Sequence, residues 1–425
     1  MFGESLARLG SELFRGALDY YRNTPDLPPL TGMTLDRDDA KIAEKWLRMG
    51  AEREQSSFVP IFEKAFADWN GSSHAFAFSA GRKALSACIH ALGLKPGDEV
   101  IIPGYTCIVV QNAFDYARVR TIHCDIELDT FGPDFGSIAS RITPNTRAIL
   151  LHHLYGLVCR DYEAILAFAR QHGLKVIEDC AHATGARFRG ERVGTRGDVA
   201  FYSSEWSKVF CTIIGGVAVS NDPETAEKLR QYAAKCAEPD SAVVEQLLQT
   251  TVRAFLQAKG ARAWWALPWA RFKYGIHDTV STSESEIEGQ TPRDYLTRMP
   301  AAAAELGVNQ LRKLDAYNVA RRRAAKRWDQ WCEEKGCRKP VIIPESEPVF
   351  LRYPVMVEPE RKKNTQWAKR ELKLNLGVWF KTHLHPSSKP VTGCPNAEKA
   401  IAQCVNFPCL SPDSVPLQSS SSPLS

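Results

Sequence analysis

The chain has 425 residues, of which 44% are hydrophobic and 24% are charged, and this composition excludes a wholly disordered or fibrous protein. Its 54 Lys and Arg against 49 Asp and Glu give a net charge of +5 that is spread along the chain, which argues against a nucleic-acid-binding protein. No apolar run reaches the ~20 residues of a membrane-spanning helix and the N-terminus lacks a signal-peptide core, so we expect a cytoplasmic protein of two or three domains.

Residues 1–57 are predicted to form an N-terminal arm. An amphipathic stretch over residues 6–21 carries mixed charges, which favours docking on the protein's own surface over membrane binding. Prolines follow at positions 25, 28 and 29, where we expect a turn.

Residues 58–290 are predicted to form a large domain in which helices alternate with strands. The predicted helices are 82–92, 162–172 and 222–235, and the predicted strands are 99–102, 118–125, 148–152, 176–178, 199–203 and 216–220. This alternation is typical of βαβ units and a mostly parallel sheet. Ligand sites in such sheets form at the carboxyl ends of the strands, so candidate residues are sought there.

The alternation stops near residue 240. Residues 240–290 are predicted to be a helical insertion of aromatic and basic residues, which we expect to be buried against its own domain or a partner. The polar residues 279–292 are predicted to be a loop. A smaller C-terminal α/β domain is predicted over residues 291–410, with a long helix at 301–332, and residues 411–425 are predicted to be disordered.

The twelve cysteines give no sign of a disulfide framework or a metal site. They are scattered from Cys88 to Cys409 without zinc-site spacing, so we expect most of them to be reduced core residues.

A turn of small residues, Ser79–Ala80–Gly81, comes directly before the helix predicted at 82–92. The free amides of a helix N-terminus can bind a phosphate group. Taken alone the signal is weak, because many helices begin with a small residue that serves only as a cap.

Two later segments supply an acid and an amine. Asp179 ends a predicted buried strand in VIEDCAHATGA, and Lys208 follows Ser203 in YSSEWSKVFCTIIGG. Singly, Asp179 is also interpretable as a helix cap and Lys208 as a surface charge. Together with the turn they match the needs of pyridoxal phosphate, which requires an amine for its aldehyde, a carboxylate at its ring nitrogen and a phosphate cradle.

Over roughly residues 40–410 the chain resembles the DegT/DnrJ/StrS family of pyridoxal phosphate-dependent sugar aminotransferases. The segments that carry the resemblance are GDEVIIPGYTC, HLYG, IEDCAHATGA, the Lys208 loop with its Gly-Gly, RMPAAAAELGVNQLRKLD and CPNAEKAIAQCVNFP. The resemblance implies an α/β chain of the aspartate aminotransferase (type I) fold, with a large mostly parallel-sheet domain and a smaller C-terminal α/β domain. It also implies a homodimer that transfers an amino group, usually from glutamate, to a nucleotide-linked keto sugar for amino-sugar or polysaccharide biosynthesis.

The resemblance assigns roles to individual residues. Lys208 corresponds to the lysine that forms the Schiff base, Asp179 to the partner of the ring nitrogen, and His182 to a neighbour of the ring hydroxyl. Ser203 and the turn with Gly81 correspond to the phosphate site. Arg298 corresponds to an arginine that reaches the substrate or phosphate of the other subunit, and its alternative role is to cap its own helix region.

Three positions depart from the family pattern. Arg82 stands where the family has Thr in the phosphate turn, and either adds a cation there or is an exposed side chain. Leu296 replaces an Asn that contacts the neighbouring subunit's phosphate. Cys107 replaces an aromatic ring that stacks on the cofactor, so either a smaller contact suffices or another residue such as Tyr105 fills the space.

Other functions remain open at this point. Amino transfer to an aminocyclitol is a close alternative, and so is the dehydration catalysed by family members that carry His at the position of Lys208. A regulatory relative without turnover belongs to another functional class. Lys208 favours transamination over dehydration, and the pairing of Lys208 with Asp179 argues against the regulatory alternative.

Overall fold

The computed structural model describes residues 34–49, 58–258, 282–293, 295–374 and 376–410. The predicted amphipathic stretch at 6–21, much of the predicted insertion and the predicted disordered tail lie outside these residues.

Helices and strands alternate along the described chain. The strands are β1 (His74–Phe78), β2 (Glu99–Pro103), β3 (Thr106–Cys107), β4 (Arg120–Cys124), β5 (Thr146–His152), β6 (Lys175–Asp179), β7 (Arg187–Phe188), β8 (Glu191–Arg192), β9 (Val199–Ser203), β10 (Gly216–Ser220), β11 (Ser346–Glu347), β12 (Arg352–Met356), β13 (Leu384–His385) and β14 (Cys404–Pro408). The α-helices are α1 (Arg37–Met49), α2 (Phe58–Asn70), α3 (Gly81–Ala91), α4 (Ile108–Tyr116), α5 (Phe135–Ala139), α6 (Tyr162–His172), α7 (Pro223–Ala234), α8 (Ser241–Ala258), α9 (Glu284–Ile287), α10 (Ala301–Lys335), α11 (Pro359–Lys363), α12 (Gln366–Glu371) and α13 (Pro395–Gln403).

A seven-stranded sheet forms the centre of the larger part of the chain, in the order β1-β10-β9-β6-β5-β2-β4. The five strands from β9 to β4 pair in parallel, whereas β10 is antiparallel to both of its neighbours. The predicted mostly parallel sheet is therefore confirmed. Because β1, β6 and β9 run in the same direction, their carboxyl ends lie at one edge of the sheet.

Both faces of this sheet are buried by helices. Along β2, Ile101 belongs to the core shared with α2 and α6, while Val100 and Ile102 belong to the core shared with α3 on the opposite face. This division follows from the alternation of side chains along a strand, and it explains why the strands are apolar throughout.

Helix α10 spans 35 residues and joins one core of the sheet to the core of the smaller part of the chain. Its first half contributes Ala303 and Leu314 to the core against the sheet, and its second half contributes Ala324 and Cys332 to a core built on the β12–β14 pair. The predicted domain boundary near residue 290 therefore precedes a helix that packs against both the sheet and the β12–β14 pair.

The described part of the N-terminal arm docks on its own chain. Trp46 Nε1 of α1 donates a 2.6 Å hydrogen bond to Glu305 of α10, and Lys313 Nζ lies 2.7 Å from the buried carboxylate of Asp39. The loop prediction for 279–292 is wrong at residues 284–287, which form the short helix α9 because the Ser283 side chain caps it by accepting from the Glu286 amide.

All twelve cysteines fall within the described residues and none is in a disulfide, as the scattered spacing predicted. Among the described helices, none combines the length and the apolarity that crossing a membrane requires.

Candidate active site

The carboxyl ends of β1, β6 and β9 bring the predicted site residues to one cavity of about 1410 Å³. The turn after β1, the end of β6 and the loop after β9 all reach this edge of the sheet. The predicted site residues that line the cavity are Ser79, Ala80, Gly81, Arg82, Cys107, Asp179, His182, Ser203 and Lys208.

Lys208 lies beside a neutral histidine. Its Nζ is 3.2 Å from His182 Nε2, and the amide of Tyr155 donates to the opposite ring nitrogen, Nδ1, at 3.4 Å. Burial, followed by the charge of Lys208, lowers the pKa of His182 well below its ordinary value of 6.5. A neutral ring that accepts at Nδ1 carries its proton on Nε2, the nitrogen that faces Lys208 Nζ.

Trp379, which the sequence analysis did not identify, lies beside His182 and Lys208. Trp379 stacks on His182 with ring centroids 5.3 Å apart and an interplanar angle of 23°, and its centroid is 5.6 Å from Lys208 Nζ. The Arg352 guanidinium lies 5.1 Å from the same ring, and the amide of Trp379 donates to Asn406 Oδ1 at 2.7 Å. The smaller part of the chain therefore fixes an aromatic surface beside the amine.

Asp179 is buried at the end of β6 with its carboxylate on the cavity. The amide of Ala181 donates to Asp179 Oδ1 at 3.0 Å, and His152 Nε2, from the adjacent strand β5, lies 3.7 Å from Oδ2. Burial lowers the pKa of His152, so its ring is neutral at neutral pH. Sequence reasoning missed His152, although its place at the end of a predicted strand was a usable signal.

The turn after β1 has the features of a phosphate cradle. Ala80, the N-cap of α3, makes no side-chain cap to the first amides of the helix. A Cβ on Gly81 would lie 2.9 Å from Ser203 Cβ, and a Cβ on Gly216 would lie 2.4 Å from the Ala80 carbonyl carbon, so the close approach of these segments requires glycine. Uncapped amides at a helix N-terminus suit an anion, and the turn therefore fits the phosphate of the predicted cofactor.

Arg82 is not an exposed side chain. Its Nε lies 2.5 Å from Glu286 Oε1 of α9, and the Glu286 side chain is buried. The guanidinium thus ties α9 to the start of α3, an ion pair that joins segments about 200 residues apart in sequence.

Tyr105 does not fill the space beside Cys107. Its hydroxyl lies 2.9 Å from the Tyr155 hydroxyl, inside the core of the smaller part of the chain. Cys107 itself lines the cavity, and burial raises the pKa of its thiol, which keeps the sulfur protonated.

Arg298 is the one predicted site residue that does not line the cavity. Its guanidinium donates to the carbonyls of Ala233 and Ala234 at the end of α7 and lies 3.1 Å from Glu238. These contacts cap the C-terminal end of α7, which is a different helix from the one that follows Arg298 in the sequence. A contact with substrate stays a prediction.

Below the cavity, Glu178 holds the end of β6 in place. Its carboxylate accepts from His153 Nε2, the Tyr162 hydroxyl and the amides of Gly194, Arg196 and Gly197. His153, Glu178 and Cys180 are the described trio with metal-ligand spacing, but His153 Nδ1 already accepts from the Cys159 amide. The His153 and Glu178 ligand atoms are thus engaged in hydrogen bonds, which indicates a structural cluster.

We expect Glu178→Gln to lower the free energy of unfolding by about 2–4 kcal/mol, because the new amide NH₂ would face donors in a buried site. Burial opposes ionisation, yet the hydrogen bonds led by His153 hold the pKa of Glu178 below 4.5. The stabilisation is therefore present above pH 4.5 and is lost as the pH falls through the lowered value. Denaturant unfolding measures the change, with the surface variant Glu163→Gln as control. Equal losses in the two variants would contradict this account.

Comparisons of the sequence with known proteins identify its family and its relatives. A family model described as "DegT/DnrJ/EryC1/StrS aminotransferase family" matches residues 34–413. GDP-perosamine synthase from Caulobacter vibrioides is 33% identical over 300 residues, which is 70% of this chain and 68% of that enzyme. L-glutamine:2-deoxy-scyllo-inosose aminotransferase from Streptoalloteichus tenebrarius is 30% identical over 302 residues, which is 71% of this chain and 62% of that enzyme.

A solved structure gives the same fold. The aminotransferase TlmJ from Streptoalloteichus hindustanus superposes with a TM-score of 0.69 at 22% identity, covering 92% of this chain and 96% of that one.

Proposed function

Because the chain belongs to the DegT/DnrJ/EryC1/StrS aminotransferase family, we propose that it moves an amino group from an amino acid, expected to be glutamate, to a nucleotide-linked keto sugar. The observation that carries the proposal is the meeting of Lys208, Asp179 and the uncapped turn of α3 on one cavity. Amino-sugar or polysaccharide biosynthesis is the process that such a product would serve.

The described residues that would hold pyridoxal phosphate divide by what they bind. The turn at Ser79–Gly81 with Ser203 would take the phosphate, Asp179 the ring nitrogen, and His182 the ring hydroxyl. When bound, the cofactor supplies an aldehyde that receives the amino group and a ring that takes up electrons from the bond being broken.

The chain's own residues would then move and hold protons. Lys208 Nζ would take the proton from the Cα of the amino donor and return a proton on the other side of the transfer, acting as base and then acid. His182 would orient that amine, because its Nε2 lies 3.2 Å from Lys208 Nζ and can donate to the amine once the amine is neutral. Asp179 would keep a proton on the ring nitrogen, and Trp379 would limit the water that reaches the amine.

The cavity of about 1410 Å³ has to accommodate the cofactor together with the acceptor. The aminocyclitol alternative is supported by the relative from Streptoalloteichus tenebrarius, which is named for an aminocyclitol precursor and for L-glutamine.

Incubation of the purified protein with a panel of acceptors tests the function. We expect 2-oxoglutarate to be released from glutamate in the presence of a nucleotide-linked keto sugar, with a keto-cyclitol as the second arm and glutamine as the second donor. Turnover with keto-cyclitols but not with keto sugars would indicate an aminocyclitol aminotransferase instead. Absence of turnover with every acceptor, while the protein holds pyridoxal phosphate, would favour a regulatory relative.

The proposal extends to a homodimer with shared sites, an expectation that comes from the resemblance. Leu296 is 46% exposed on the cavity rim, and Arg298 follows it, so this segment is accessible to a second copy. Mixing inactive Lys208→Ala with Arg298→Ala under subunit exchange is expected to restore up to about a quarter of wild-type activity, because half of the dimers then contain one intact site. No recovery, despite verified exchange and a clearly impaired Arg298→Ala parent, would confine Arg298 to its own subunit.

A further inference from the structure

His152 lies beside the carboxylate of Asp179 at the edge of the sheet. The two residues are register partners on the adjacent parallel strands β5 and β6, so their side chains lie on the same side of the sheet. His152 Nε2 is 3.7 Å from Asp179 Oδ2, whereas Oδ1 accepts from the Ala181 amide. Both side chains are buried and both line the cavity. The histidine therefore faces the oxygen to which no described residue donates a hydrogen bond.

The surroundings of the His152 ring decide which of its nitrogens carries the proton. Burial, opposed by the charge of Asp179, lowers the pKa of His152, so the ring is neutral and has one N–H group. Within the described part of the chain, Nδ1 has no hydrogen-bond partner. A proton on Nδ1 would be a buried unsatisfied donor and would leave the Nε2 lone pair facing a carboxylate. The form with the proton on Nε2 is therefore favoured, and its N–H group faces Oδ2.

The distance between Nε2 and Oδ2 leaves room for a ligand at the carboxylate. A gap of 3.7 Å is longer than a direct hydrogen bond, so His152 does not occupy the lone pairs of Oδ2. The N–H dipole still stabilises the negative charge, because both groups are buried and water screens their interaction poorly. A buried carboxylate with one amide donor is costly, and an N–H dipole that faces it lowers this cost.

We propose that His152 is a positioning residue that keeps the Asp179 carboxylate ionised and available to the ring nitrogen of the cofactor. This inference rests on the proposed function, in which Asp179 binds that nitrogen. His152 acts through Asp179, so its effect requires a nitrogen in the cofactor ring. The alternative is a packing role, in which the imidazole only fills space at the end of β5.

Two ligands that differ at the ring nitrogen separate these roles. Pyridoxal phosphate and its 1-deaza analogue, which has carbon in place of that nitrogen, are titrated into the cofactor-free protein and their Kd values are measured by absorbance. We expect His152→Leu to raise the Kd for pyridoxal phosphate about 3- to 10-fold, as for the loss of one hydrogen bond, and to leave the Kd for the analogue unchanged. His152→Gln, whose amide can place a donor toward Oδ2, should recover most of the affinity. The exposed control His172→Leu should match wild type.

A shorter amide gives a second comparison that does not depend on the folding of His152→Leu. The amide of His152→Asn does not reach the position of Nε2, so its Kd for pyridoxal phosphate should exceed that of His152→Gln, with equal Kd values for the analogue.

Each other result contradicts the inference. Equal weakening of both ligands by His152→Leu would make His152 a packing residue, and so would equal Kd values for pyridoxal phosphate in the Gln and Asn variants. Unchanged affinity of His152→Leu for both ligands would show that Asp179 does not depend on His152. A wild-type protein that binds both ligands equally would remove Asp179 from the ring nitrogen. Binding of neither ligand by the wild type would instead overturn the proposed function.

Discussion

Lys208→Ala is expected to lower the rate of amino transfer by roughly 10²–10⁴-fold, because the variant loses the amine that moves the proton at Cα. His182 lies next to this amine, but burial lowers its pKa well below 6.5 and keeps its ring neutral. No described neighbour with a comparable position offers a free amine. The measurement is the single-turnover rate of 2-oxoglutarate release from glutamate.

The matched control is Lys95→Met, whose side chain is exposed after α3. A small primary amine such as methylamine, added to Lys208→Ala, should recover part of the rate because it can enter the space left by the side chain. A Lys208→Ala rate within a few-fold of wild type would show that another group transfers the proton.

Asp179→Asn is expected to lower turnover by about 10²- to 10³-fold, the size of effect seen when one preorganised electrostatic contact is lost at a reacting centre. The amide keeps the shape of the carboxylate and its hydrogen bond from Ala181, but it removes the charge that favours a proton on the ring nitrogen. His152 lies too far from Oδ2 for a direct hydrogen bond and is neutral, so it does not replace that charge.

The measurement separates chemistry from binding. We expect the Kd for pyridoxal phosphate to change much less than kcat, since the phosphate cradle is intact in this variant. Asp240→Asn, an exposed carboxylate on the cavity rim, serves as control. Near-normal kcat in Asp179→Asn would mean that Asp179 is only a structural cap at the end of β6.

The sequence predicted the parallel sheet because its strands carry their own signals. A strand buried on both faces is apolar along its length instead of alternating between apolar and polar residues. Short apolar β-branched runs that end at a polar residue, such as Val176–Ile177, therefore predict such strands. The same rule located Asp179, Ser203 and Lys208, since each ends or follows a strand that the pattern predicts. Because the strands run in the same direction, the residues at their carboxyl ends lie together at one edge of the sheet.

The contacts made across long sequence distances were not predictable. Trp379 reaches His182 only because the smaller part of the chain folds back over the sheet edge, and no periodicity marks that tryptophan. The Arg82–Glu286 pair depends on a short helix in a stretch that the pattern reads as a loop. Tyr105 is adjacent to the site in the sequence, but its side chain is buried in the core of the smaller part of the chain. The sequence alone does not indicate into which core this side chain packs.

The most direct test of the central claim is borohydride reduction of the wild-type protein reconstituted with pyridoxal phosphate, followed by peptide mass spectrometry. If Lys208 holds the cofactor, the protein is yellow before reduction, the colour is lost on reduction, and the cofactor mass is found on the peptide that contains Lys208. Attachment to another lysine such as Lys83, or no retained cofactor after reconstitution, would contradict the assignment of this cavity as the active site.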